Sequence, residues 1–135
     1  MDTAPVWLWE ALDIAFLVGH TALMLFLILG WTTRRTRPWH LVACLLTAAS
    51  WSLLGLRYGF GYCFLTDWHW MVRQRLDRDM PNSFIKHLFD TVTGLDWDPM
   101  FIDILTVSSF ALAFILTAAL NWRDFRLTRR AVKSS

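Results

Sequence analysis

Residues Val6–Trp31, VWLWEALDIAFLVGHTALMLFLILGW, decide the fold class. The run is long and apolar enough to cross a bilayer, which takes about 20 such residues as a helix. Within it stand three polar side chains, Glu10, Asp13 and His20, at offsets that place all of them on one helix face. An ionisable group near the bilayer centre costs about 2.5–3.5 kcal/mol on insertion scales. The rest of the fold must therefore supply pairing, hydration or a ligand along that face.

Two further runs complete the pattern. Ala11–Trp31, Leu41–Leu56 and Phe101–Trp122 are nearly free of charge, Asp103 being the exception in the third. Of the 135 residues 56% are hydrophobic, with nine Trp and ten Phe, above the soluble average of about 45–50%. Runs of strand length with alternating polarity, as a membrane barrel needs, do not occur. The expected fold is all-α: one integral membrane domain spanning 1–135, with transmembrane helices at 7–31, 39–60 and 100–122. Between the last two lies an interfacial segment, 61–99, holding one or two amphipathic helices, and a basic tail, 123–135, follows.

Charge sets the expected orientation. Arg34, Arg35 and Arg37 follow the first span, and Arg123, Arg126, Arg129, Arg130 and Lys133 follow the third, eight basic residues on one side. The 61–99 segment carries four, Arg73, Arg75, Arg78 and Lys86, among a larger number of Asp. By the positive-inside rule the N-terminus and the 61–99 segment are outside, and the first loop and tail are cytoplasmic. The first span lacks a basic leader and an A-x-A site, so it reads as an uncleaved anchor. Trp7, Trp9, Trp68, Trp70 and Trp97 on one side, and Trp31, Trp39 and Trp122 on the other, read as two interfacial belts. The basic tail reads as a topology signal, with no nucleic acid expected as a partner. Cys44 and Cys63 lie too far apart along one helix for a disulfide.

Local signals divide the chain further. Pro38 suits the start of the second span. Ala48, Ser52, Gly55 and Gly59 form a small-residue seam that lets another helix approach. Gly59-Phe60-Gly61 ends that span. In Phe64–Leu76 the residues Leu65, Trp68, Val72 and Leu76 recur at helical spacing, and Ser83–Val92 forms a second short amphipathic stretch that Asn82-Ser83, after Pro81, can cap.

Cys63-Phe64-Leu65-Thr66-Asp67-Trp68-His69-Trp70-Met71-Val72-Arg73 resembles the Cys-Pro-Leu-Thr-x-x-Glu-x-x-Leu-Arg signature of a bacterial membrane-protein family catalogued as domain of unknown function 2784. Asp13, His20 and Gly30 are similar to that family's first helix, Trp39-His40-Leu41 to the start of its second, and Ser83-Phe84-Ile85 to a Gly-Phe-Ile element. The resemblance runs from about Ala11 to Ile85. Phe64 stands where the family has Pro, and His69 where it has Glu, an imidazole for a carboxylate. The resemblance implies a fold and a set of positions, with no activity attached.

Chemistry is expected at two depths. Glu10, Asp13, Arg57 and Asp103 come from three spans at one level, and an ion pair of Arg57 with Asp13 or Asp103 would satisfy them. That group reads either as a clasp fixing helix order or as the floor of an outward-open pocket roofed by His69, Trp68 and Arg73. His20 lies about 10 Å deeper along the helix, alone, with Thr47, Ser50 or Thr106 as hydrogen-bond partners, or with a proton-relay or metal-ligand role. Thr106, Ser109, Thr117 and Asn121 read as glue between helices. A bis-histidine haem needs two His side chains at one depth, and no such pair is evident, so no cofactor or metal is assigned. The leading expectation is a small bacterial inner-membrane protein of binding or accessory type, acting as a homo-oligomer or a subunit of a larger assembly. A membrane enzyme or redox protein using the Asp/His/Arg cluster, and proton or cation passage along Glu10, Asp13 and His20 in an oligomer, are the alternatives.

Overall fold

The computed structural model describes residues 4–59, 61–79 and 83–133, and five helices run through them. They are α1 (Val6–Leu29), α2 (Arg37–Tyr58), α3 (Phe64–Arg75), α4 (Phe84–Thr93) and α5 (Pro99–Lys133). Three of these, α1, α2 and α5, are long and apolar enough to cross a membrane. At 1.5 Å per residue the 24 residues of α1 reach about 36 Å, which exceeds the hydrocarbon thickness of about 30 Å. The short α3 and α4 form a cap over the N-terminal half of α1. Helix α1 packs against α3, α2 and α5; α2 lies mainly along α5.

The burial pattern is that of a membrane protein. Among the described residues six polar or charged side chains are buried, Asp13, His20, Arg37, His40, His69 and Thr117, against five apolar ones. Large apolar side chains meanwhile cover the outside of every span. A lipid solvent offers apolar surface no penalty but leaves backbone and polar groups to be satisfied within the protein.

The α1–α2 corner meets that demand. The last carbonyls of a helix have no partner within it. Here His40 Nε2 donates to Leu27 O at 2.9 Å, Trp31 Nε1 to Ile28 O at 2.7 Å, Thr32 Oγ1 to Leu29 O at 2.7 Å and Thr36 Oγ1 to Gly30 O at 2.6 Å. Gly30 permits the approach, because a Cβ there would stand 2.6 Å from His40 Cδ2 and 2.7 Å from Phe26 O. Pro38 falls in the first turn of α2, where its missing N–H costs nothing.

Helix α2 is interrupted by a π-helical segment, Ser50–Leu54. One extra residue in a turn rotates everything beyond it by about 100° about the axis. The small-residue seam is consequently not a continuous interface within this chain: Ala48 and Gly55 are half-buried, while Ser52 and Gly59 are exposed. Gly59 (φ 105°) and Gly61 (φ 84°) then turn the chain into the cap, through backbone regions open mainly to glycine. Phe60 of the expected break, and Pro81 and Asn82 of the expected cap, lie outside the described residues. Ser83 does cap α4, its hydroxyl accepting from Lys86 N at 3.4 Å. Helix α5 continues past Trp122, so 123–133 extends the third span as helix. Both cysteines are free thiols, Cys44 buried and Cys63 half-buried.

Candidate functional site

Asp13, Phe16 and His20 line the face of α1 that meets the cap. Asp13 is 6% exposed, and each of its carboxylate oxygens is occupied. His69 Nε2 donates to Oδ1 at 2.7 Å, Arg78 Nη1 donates to Oδ2 at 2.5 Å, and Arg73 Nη1 stands 3.5 Å from Oδ1. Glu10 joins at the edge, its Oε1 lying 3.8 Å from Arg78 Nη2. The resulting cluster draws on α1, α3 and the turn after α3.

That turn is what brings Arg78 back. Leu76 closes α3, Arg78 N donates to Arg73 O at 3.1 Å, and Asp77 N donates to Gln74 O at 3.3 Å. These two bonds form the six-to-one and five-to-two pattern of a Schellman ending, with Asp77 (φ 52°) in the left-handed position that glycine usually takes. A short polar side chain tolerates that region better than most.

His69 is wholly buried, with Phe16 at 5.6 Å, Trp70 at 5.1 Å and Phe84 at 5.9 Å between ring centroids. Its place corrects the expected roof over an open pocket: the ring sits inside, on the carboxylate. The apolar face of α3 also shifts by one residue, since Val72 is buried and Trp68 is exposed, with His69 taking the inward position expected of Trp68. His69 Nδ1 is buried and has no hydrogen-bond partner among the described residues.

His20 is 9% exposed and stacks on Phe84, with ring centroids 4.0 Å apart and planes 10° from parallel. Two of the three expected partners are engaged elsewhere: Ser50 Oγ donates to Tyr62 O and Thr106 Oγ1 to Ile102 O. His20 is also not isolated, because Phe84 touches both imidazoles and joins the two depths into one column, Asp13–His69–Phe84–His20. Beside that column runs a groove of about 420 Å³ lined by Leu12, Ala15, Phe16, Gly19, His20 and Leu65.

The four-group cluster expected from three spans does not assemble. Arg57 is exposed and lies over the Tyr58 ring at 5.8 Å, and Asp103 is exposed with no ion-pair partner among the described residues. The π-helical turn lies just before Arg57 and reorients the residues beyond it. Of the residues expected at this site, Asp13, Glu10, His69 and Arg73 come together, His20 joins through Phe84, and Arg57, Asp103 and Trp68 stay apart. Arg78 was missed as a site residue, its sequence signal being only that of one more loop charge.

A second polar centre closes the opposite end. Arg37 Nη1 donates to Asp124 Oδ2 at 2.8 Å, with Arg34 3.4 Å from the other oxygen, and Arg37 Nε donates to Trp31 O at 2.9 Å. Asn121 Nδ2 donates to Arg37 O at 3.1 Å and to Thr117 O at 2.8 Å, which makes it the expected glue between spans. Asp124 is the single acidic residue of the basic 123–135 stretch, a signal that reading the stretch as pure topology charge passes over.

At the α4–α5 turn Lys86 Nζ bridges Asp90 Oδ2 at 2.5 Å and Asp96 Oδ1 at 2.6 Å. The bonds from Asp90 and Asp96 raise the Lys86 ammonium above its ordinary value, and the bond from Lys86 lowers the Asp90 carboxyl. His87, edge-on to Trp70, is pushed down by burial and by the nearby Arg73 charge. Among the described residues no three His, Cys, Asp or Glu side chains converge as metal ligands.

A family profile described as "Protein of Unknown function (DUF2784)" matches residues 10–122. The match takes in the Asp13 column, the α1–α2 corner and most of α5. No curated protein and no solved structure is detectably similar to the chain. With the profile covering far more than half of its length, the chain belongs to the DUF2784 family.

Proposed function

We propose that this protein is a membrane-embedded binding or accessory protein, acting as an oligomer or as a subunit of a larger assembly. The observation that carries the reading is the state of Asp13. Both carboxylate oxygens are taken up by groups from the cap. A general base must reach the proton it abstracts, whereas His69 is sealed between three aromatic rings. This arrangement supports a latch that holds the α3–α4 cap on α1, which is the work of a scaffold presenting a defined surface. The charge distribution supports placement in a bacterial inner membrane, with the cap outside and the basic end of α5 cytoplasmic.

One observation favours a second reading. His69 gives one nitrogen to a carboxylate and keeps the other without a partner, which is how imidazoles are oriented for proton or metal work. Purification in mild detergent followed by native mass measurement, absorption spectroscopy and metal analysis separates the two. The accessory reading expects a colourless, metal-free protein holding copies of itself or stoichiometric partners. A chromophore or a bound metal lost on His69→Phe would establish the second reading instead.

A further inference from the structure

We propose that the groove beside α1 binds a neutral, lipid-soluble molecule whose one polar group is a carbonyl or hydroxyl oxygen. That oxygen meets the His20 imidazole, and the apolar body lies along Ala15 and Gly19. This names a ligand class for the binding reading above and rests on it.

Three observations converge. The groove has about 420 Å³ and is lined by apolar residues except at His20, the composition of a small-molecule site within the usual range of about 300–1,000 Å³. Ala15 and Gly19, on its floor, are exposed on a membrane-spanning helix, so the opening faces hydrocarbon and admits what dissolves there. His20 contributes the independent sign of a partner. A neutral imidazole has one donor and one acceptor, and His20 Nδ1 is buried with no hydrogen-bond partner among the described residues. Phe84 covers one ring face at 4.0 Å, and His20 lines the groove.

Unmet polar groups in hydrocarbon are costly, and no bulk water relieves them there. Either tautomer can use an oxygen: the N–H donates to a carbonyl, or the bare nitrogen accepts from a hydroxyl. Charge is disfavoured at this depth, so the ligand is neutral. The groove begins one residue from Asp13, and the latch that holds Leu65 against α1 therefore also forms the groove's far wall.

The test uses the full-length protein in phosphatidylcholine vesicles with two photoactivatable probes, diazirine-hexadecanol and diazirine-hexadecane. The expected result is hexadecanol labelling concentrated on the groove residues Leu12, Ala15, Phe16, Gly19, His20 and Leu65, above that of Ile14 and Val18, which are 61% and 62% exposed on the neighbouring surface. His20→Leu should lower hexadecanol labelling in the groove about tenfold, as for loss of one buried hydrogen bond, and leave hexadecane labelling unchanged. Gly19→Leu, where an added Cβ meets nothing within 4 Å, should fill the groove and remove both labels from Leu65. If His20→Leu does not fold, the contrast between the two probes on the unmodified protein and on Gly19→Leu decides. Equal labelling of the same residues by both probes, or a cross-link from the groove to a second copy, overturns the proposal. A protein that assembles with partners yet fails this test loses the ligand and keeps the accessory role, whereas a monomer that passes it does the reverse.

Discussion

At Asp13 a single carboxylate holds together a helix, a helix of the cap and the turn that follows it. Replacing it by Asn removes the negative charge that Arg73 and Arg78 face and leaves one acceptor oxygen where His69 and Arg78 now each have their own. Breaking a buried pair from one side costs about 3–5 kcal/mol, and the lower end applies because the Arg78 side chain is 42% exposed. Asp13→Asn should therefore lower thermal stability in detergent by about 3 kcal/mol. Arg57→Ala, at an exposed residue outside the cluster, should stay within about 0.5 kcal/mol. The polarity of Asp13 and its position in the N-terminal part of the first span are legible in the sequence. Its partners are not, because Arg78 reaches it only through a left-handed Asp77, and neither helical spacing nor charge counting encodes that turn.

At the scale of elements, the spans and the existence of two short cap helices follow from apolar runs and from Gly and Pro punctuation. Which face each element turns inward does not. In α3 the periodicity of Leu65, Val72 and Leu76 accommodates either Trp68 or His69 as the fourth inward residue, and the hydrogen bond to Asp13 on α1 decides for His69. In α2 a π-helical turn, invisible to a 3.6-residue template, moves Arg57 away from the cluster that its depth suggested. The α1–α2 corner is better specified, since Gly30, Thr36, Pro38 and His40 each have one physical role. Gly30→Ala places a Cβ 2.6 Å from His40 Cδ2 and should destabilise the protein by about 1–3 kcal/mol, the cost of overpacking, measured by thermal unfolding in detergent.

Across the whole molecule the described residues carry ionic centres at both ends of the bundle, Asp13 with the cap and Lys86 with Asp90 and Asp96 at one and Asp124 with Arg37 at the other, and between them mostly apolar contacts such as Trp51 on Phe110. The proposed orientation makes a prediction that the native thiols can report. Cys63 is half-buried beside the cap and Cys44 is 0% exposed. A membrane-impermeant maleimide applied to intact spheroplasts should label the protein, and Cys63→Ser should remove the label. Labelling only in inverted vesicles would reverse the orientation. Helix α5 has its own mechanical consequence. Its 35 residues extend about 52 Å without interruption from Pro99 to Lys133. Asp124, held by Arg37, sits about three-quarters of the way along and acts as a fulcrum. Were α5 to tilt as a rigid body about that anchor, a displacement at the Pro99 end, where the α4 turn attaches, would be carried along its length. It would arrive, scaled down about threefold and reversed in direction, at the four cations beyond Asp124, Arg126, Arg129, Arg130 and Lys133.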